Sequence, residues 1–203
     1  TVGLYTADGD TISIGLGLPM FIRGMAETVR AKLRHFGLQG LQSGDILVTN
    51  DAYTTGSHLN HFTFSLPIYH QGVLSGWACC MAHWLDVGGN VPGNFNAKAT
   101  ESFQEGFRVP PVKLARAGVI QQDIIDILAA NSRVPKSNWG DLNGQINALD
   151  LGERLAAHER GAKLVVDESS QHDTRPGTPM GTPLYMSPEQ VHGQAVGPHS
   201  DIY

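Results

Sequence analysis

In GLYTADGDTISIG, residues 3–15, apolar and polar positions alternate on either side of Asp8-Gly9. A period of two around an Asp-Gly dipeptide predicts a β-hairpin. From Pro19 the period lengthens. Ile22, Met25, Val29, Leu33 and Phe36 recur at steps of three and four, and Gly37 supplies a left-handed stop, so an amphipathic helix is predicted. DILVTN, residues 45–50, reads as a short buried strand that ends in a loop at Asn50-Asp51. HFTFSLPIYHQGVLSGWACCMAHW, residues 61–84, reads as two strands joined at Gln71-Gly72. Residues 88–114 are rich in glycine and proline and predict an irregular, function-bearing loop. Two helical runs follow, QQDIIDILAAN and GDLNGQINALDLGERLAAHE, the second with Asp141 as the expected N-cap. The predicted class is α+β, a mixed fold of antiparallel β-hairpins with flanking helices.

The hairpin over 61–84 gives two polar stretches a shared location. NDAYTTGSHLNH, residues 50–61, carries Asp51, His58 and His61, and MAHWLDVGG, residues 81–89, carries His83 and Asp86. His61 begins the first strand and His83 ends the second, so a tight turn brings them side by side at the open end. Alone, HLNH favours a turn whose histidines cap or hydrogen-bond the backbone. Its occurrence opposite HWLD on one hairpin shifts the balance toward a metal site. Asp51, His58, His61, His83 and Asp86 form a nitrogen-and-oxygen ligand set without thiolate, suited to manganese, zinc or iron.

Composition narrows the function classes. The 203 residues are 41% hydrophobic and carry 19 acidic against 14 basic side chains, a net charge of −5. No Lys/Arg run offers a phosphate-backbone footprint, so nucleic acid is not an expected partner. No unbroken apolar stretch has membrane-spanning length, and TVGLYTADGDT lacks the regions of a signal peptide, so no membrane partner and a cytoplasmic location are expected. The only cysteines, Cys79 and Cys80, are adjacent and in a strand point to opposite faces; they are expected to be small core side chains.

GDILVTNDAYTTGSHLNHFTFSLPIYHQGVLSGWACCMAHWLDVGGNVPGN, followed in order by QEGFRVPPVKL, NSRVP, GDLNGQINA and GERL, resembles the hydantoinase B/oxoprolinase family across about residues 3–158. The resemblance implies a component of an ATP-dependent cyclic-amide hydrolase of the hydantoinase or 5-oxoprolinase type, or of the related acetone and acetophenone carboxylases. It implies a hydantoinase A-type subunit or domain as partner, which uses ATP to phosphorylate the substrate oxygen, and a small cyclic amide as substrate. Asn50, Asp51 and Tyr53 match the family's Asn-Asp-Pro-Tyr segment, with Ala52 in place of proline. His58 matches a family histidine, and His83 and Asp86 match its His-His-x-Asp-x-Gly-Gly segment, with Trp84 as the second residue. His61 stands where the family usually has aspartate. Glu105 and Arg108 match the loop after the metal motif, as a proton carrier and an anion clamp, with Lys113 a further cation; their alternative is a solvated turn salt bridge. The family's polypeptide runs far beyond this length, so residues 1–160 are expected to be a partial domain, inactive alone.

From about residue 161 the composition changes. GAKLVVDESSQHDTRPGTPMGTPLYMSPEQVHGQAVGPHSDIY resembles the activation segment of a bacterial Ser/Thr protein kinase, with Thr178 and Thr182 as possible phosphoacceptors. No glycine-rich phosphate loop or catalytic loop precedes it, so phosphoryl transfer is excluded. Its Pro, Gly, Ser and Thr content predicts a largely extended 161–203 region. A chimeric reading frame or a non-catalytic chain with a phosphoacceptor tail is the alternative to an enzyme component.

Overall fold

The structure is a computed structural model that describes residues 1–15, 19–55 and 58–157. The strands are β1 (Val2–Thr6), β2 (Thr11–Ile14), β3 (Ile46–Thr49), β4 (His61–His70), β5 (Val73–His83), β6 (Val112–Arg116) and β7 (Val119–Ile120). They form one antiparallel sheet of order β2-β1-β5-β4-β3-β6-β7. The helices are α1 (Pro19–Phe36), the single turn α2 (Ala52–Thr55), α3 (Gln122–Ala130) and α4 (Pro135–Ala157). The predicted α+β class and the hairpins at Asp8-Gly9 and Gln71-Gly72 are therefore present. Gln71 and Gly72 have φ of 49° and 81°, the paired positive values that a tight hairpin turn needs to follow the strand twist.

Alternation along β4 and β5 divides the core into two layers. Phe62, Phe64, Leu66 and Ile68 join Ala78 and Cys80 beneath Ile125 and Leu128 of α3 and Leu142 and Leu149 of α4. On the other face Trp77, Cys79 and Met81 meet Met25, Ala26 and Val29 of α1. The adjacent cysteines thus part to opposite faces, both free and both buried. Helix α1 stops where expected: Gly37, at φ 63°, donates its N–H to the Leu33 carbonyl at 2.9 Å. Pro67 is tolerated inside buried β4 because β3 is short, its register with β4 ending at Leu47↔Ser65.

Two expectations are corrected. Residues 112–120 are a hairpin, β6 and β7, turned at Ala117 and Gly118 (φ 47° and 81°) and paired to β3 through Val48↔Val112. Two prolines just upstream obscured a short alternating run. Helix α4 begins at Pro135, so Asp141 lies in its second turn and is not its cap. Proline at the first helical position needs no N–H partner, and the Ser132 hydroxyl accepts the Val134 N–H at 3.0 Å just before it. Among the described residues no helix is long and apolar enough to cross a membrane.

Candidate metal centre

The open end of the β4–β5 hairpin is built as a register pair. His61 lies opposite His83, and beyond them Trp84 donates its backbone N–H to Asn60 O at 2.8 Å. His58 enters by a four-residue turn in which His61 N–H donates to His58 O at 3.0 Å, anchored by buried Leu59. The three imidazoles converge, with ring centroids 4.1 Å apart for His58–His61 and 5.0 Å for each pair with His83. One ring nitrogen from each lies within 4.8 Å of the others. Metal–nitrogen bonds of about 2.1 Å at tetrahedral angles bring such nitrogens to about 3.4 Å, so closing on an ion asks for roughly 1–1.5 Å of motion. His58 and His83 are exposed and can rotate, while buried His61 is held with its ring against Phe21 of α1 at 4.4 Å. The donors fit a divalent ion in one further respect. Burial, then the neighbouring His58 and His83, push His61 down to about 4, and burial and His83 lower His58 against the pull of Glu105. Neutral imidazole is the form that binds metal.

Asp51 and Asp86 stand outside this convergent group. Asp51 accepts the Tyr53 N–H at 3.1 Å and so caps α2. Asp86 is 2% exposed, and both its oxygens are engaged: Oδ1 accepts Gly88 N–H at 3.0 Å and Arg133 N–H at 3.1 Å, Oδ2 accepts Gly93 N–H and an Arg133 guanidinium N–H at 3.0 Å each. Burial pushes the Asp86 carboxyl up, yet these donors outweigh it and hold it at about 2. Arg133 also donates to Gly88 O and Gly89 O, which ties the glycine loop to the start of α4. Buried Asn94 continues the clamp, donating to the Gly88 and Glu105 carbonyls at 2.6 Å each while its Oδ1 accepts from Val87 N–H and Asn60 Nδ2. A Cβ on Gly89 would come within 2.8 Å of the Glu105 backbone carbon, so only glycine lets this loop lie against Glu105. Asn50 performs the same service on the other side, donating to Leu59 O and Phe107 O and accepting Val109 N–H.

The clamp places Glu105 where its charge acts on His58. Arg108 is exposed, with its guanidinium 5.8 Å from the centre of the Tyr53 ring, and among the described residues neither Glu105 nor Arg108 forms an ion pair. Lys113 is directed away from the centre into an ion pair with fully buried Asp45 at 2.6 Å. Thr178, Thr182 and the whole 161–203 region lie outside the described residues. Three residues at or around the site were not singled out from sequence: Phe21, Arg133 and, as a charge near the site, Asp141. Arg133 stands in NSRVP, where a lone arginine beside a helix-starting proline was its only signal. Asp141 follows from helix geometry: Asn138 Nδ2 donates to Asp86 O and Trp84 Nε1 donates to Gln145 Oε1, so α4 crosses the hairpin end with Asp141 between these anchors, its carboxyl pushed up by burial against the opposing pull of His83.

An antiparallel sheet that gathers three imidazoles at one hairpin end defines a candidate metal-binding domain. The chain belongs to the hydantoinase B/oxoprolinase family, whose model matches residues 1–161. It is 34% identical over 140 residues to the caprolactamase subunit beta of Pseudomonas jessenii, covering 69% of this chain and 24% of that one. It is 30% identical over 176 residues to 5-oxoprolinase 1 of Arabidopsis thaliana, covering 83% of this chain and 14% of that one. The crystal structure of the ATP-dependent caprolactamase from Pseudomonas jessenii superimposes with a TM-score of 0.74 at 29% identity, over 82% of this chain and 30% of that one. The chain thus spans less than a third of the length of these relatives.

Proposed function

We propose that this chain supplies the metal-binding part of an ATP-dependent enzyme component that hydrolyses cyclic amides, and that His58, His61 and His83 are its ligands. The convergence of those three imidazoles at one hairpin end carries the reading. Similarity to a caprolactamase subunit and a 5-oxoprolinase supports the substrate class, a cyclic amide. The relative's designation as a beta subunit supports a partner subunit, here of the hydantoinase A type, that uses ATP to activate the amide oxygen.

A divalent ion at such a centre supplies Lewis acidity and an activated water near neutral pH. The chain's own residues then divide the remaining work. Glu105, whose charge already acts on His58, takes the proton released at the centre. Arg108, exposed beside Tyr53, holds the anionic group of an activated substrate at the rim. Asp51 and Asp86 act through the backbone: one caps α2, the other fixes the loop that carries Glu105.

Elemental analysis of the purified full chain beside a His83→Ala variant tests this. The expected result is about one divalent ion per parent chain and none in a variant that keeps its far-ultraviolet dichroism. A folded parent that takes up no ion from excess zinc or manganese overturns it.

A further inference from the structure

Resting on that reading, we infer that the centre selects a borderline, nitrogen-seeking divalent ion of the zinc class over oxygen-seeking manganese or magnesium, and that His61 is the selecting residue. The first observation is the donor set. The residues that converge are three imidazoles, and among the described residues no carboxylate joins them. Imidazole donors suit zinc and its neighbours, whereas manganese and magnesium depend on carboxylate, carbonyl or water oxygens.

The second observation is where the nearby carboxylates are held. Asp51 spends one oxygen on capping α2, and both oxygens of Asp86 are engaged by Gly88, Gly93 and Arg133. Asp86 could enter the coordination sphere only by releasing the loop it closes. Asp141 is fixed on α4 between the Asn138 and Gln145 anchors, on a different element from the imidazoles. Glu105 is near enough for its charge to act on His58, but neither it nor any of these aspartates belongs to the group of ligand atoms within 4.8 Å among the described residues.

The third observation separates His61 from its partners. His58 and His83 are exposed and adjustable, but His61 is 4% exposed, sits in the β4–β5 ladder opposite His83 and packs its ring against Phe21. A position that rigid sets the donor type for every ion that enters. His61→Asp replaces its nitrogen with a charged oxygen at the same ladder position and is the direct probe of selectivity.

The experiment titrates the chelator-stripped full chain with zinc and with manganese by calorimetry, beside His61→Asp and His83→Ala. Zinc outbinds manganese at most nitrogen or oxygen sites, so the diagnostic quantity is the change on substitution: His61→Asp is expected to lower the zinc-over-manganese affinity ratio of the parent by about tenfold or more. Cobalt(II) adds a readout independent of activity: visible bands of a three-nitrogen site in the parent, shifted or weakened in the two-nitrogen, one-oxygen site of the variant. If His61→Asp fails to fold, His61→Gln replaces the same nitrogen with a neutral oxygen donor of similar reach; His58→Asp, at an exposed position, is expected to change the ratio less, and an equal effect there removes His61 as the selecting residue. An unchanged zinc-over-manganese ratio in a folded His61→Asp, with binding lost in His83→Ala, overturns the inference and leaves the proposed function standing. A folded parent that binds neither ion removes the proposed function itself.

Discussion

The two faces of β4 carry opposite chemistry at equal burial. Toward α3 and α4 the strand presents Phe62, Phe64, Leu66 and Ile68; toward α1 it presents His61, Thr63, Ser65 and Pro67, and all eight are buried. Alternation of this kind normally marks a strand with one wet face. Here α1 covers the polar face and brings its own polar group, Lys32, which is fully buried against Ser65 and the Leu47 and Thr63 carbonyls. One face is a packing surface, and the other is a covered polar row whose open end is the candidate metal centre. Substitutions on the first are expected to cost stability, and those on the second to change what the chain binds or titrates.

The largest effect is expected on the apolar face. Trp84 is 1% exposed, stacks on Phe62 with centroids 4.0 Å apart, and donates to Gln145, which in turn donates to the Phe62 carbonyl. Trp84→Ala opens a cavity and leaves Gln145 Oε1 without its donor, a loss of about 3–5 kcal/mol. Urea unfolding measures it, and a loss below about 1 kcal/mol would show that α4 does not depend on this contact.

A smaller loss separates the clamp from the ligands. Asp86→Asn removes the charge that Arg133 pairs with and forces an amide nitrogen toward backbone N–H donors, so about 1–3 kcal/mol is expected. Zinc stoichiometry is expected to persist, because the carboxylate braces the loop and does not belong to the convergent set. Loss of the ion at unchanged stability would reverse that assignment and make Asp86 a ligand.

The turn at Gln71-Gly72 made it legible that His61 and His83 meet at one hairpin end, but not their exact pairing: the turn alone sets His61 opposite Ala82, and a one-residue register shift between Ile68 and Tyr69 brings it opposite His83. Helix α1 was legible from its period and its glycine stop. Asp86 was not, because its role depends on Arg133, whose encounter with it follows from tertiary packing across 47 positions of chain. Asp141 was misplaced because an N-cap residue at the head of an amphipathic run is a local signal, and Pro135 started the helix earlier. Lys32 leaves one trace in the sequence. It falls on the apolar stripe of Met25, Val29 and Phe36, where a charged residue marks either a break in the pattern or a buried group.

That buried group gives the smallest and most specific prediction. Burial lowers Lys32 from 10.5 to about 7. The amine is held among three acceptors: Nζ donates to Leu47 O, Thr63 O and Ser65 Oγ, and the Cys79 thiol donates to the same Ser65 Oγ at 3.3 Å. Between pH 7 and the ordinary lysine value the unfolded chain holds a proton that the folded one has released, so the Lys32 contribution makes stability rise with pH, by at most about 1.4 kcal/mol per unit. Below pH 7 both states are protonated and this contribution is flat. Above the ordinary thiol value of 9.0 the sign reverses, because burial raises Cys79 to about 11 and Cys80 to about 12 and the unfolded thiols ionise first. A stability maximum near pH 9 is therefore expected from urea unfolding at stepped pH. Lys32→Met should remove the rise between pH 7 and 9 and keep the fall beyond it. A rise that survives the substitution would place the group titrating between pH 7 and 9 elsewhere.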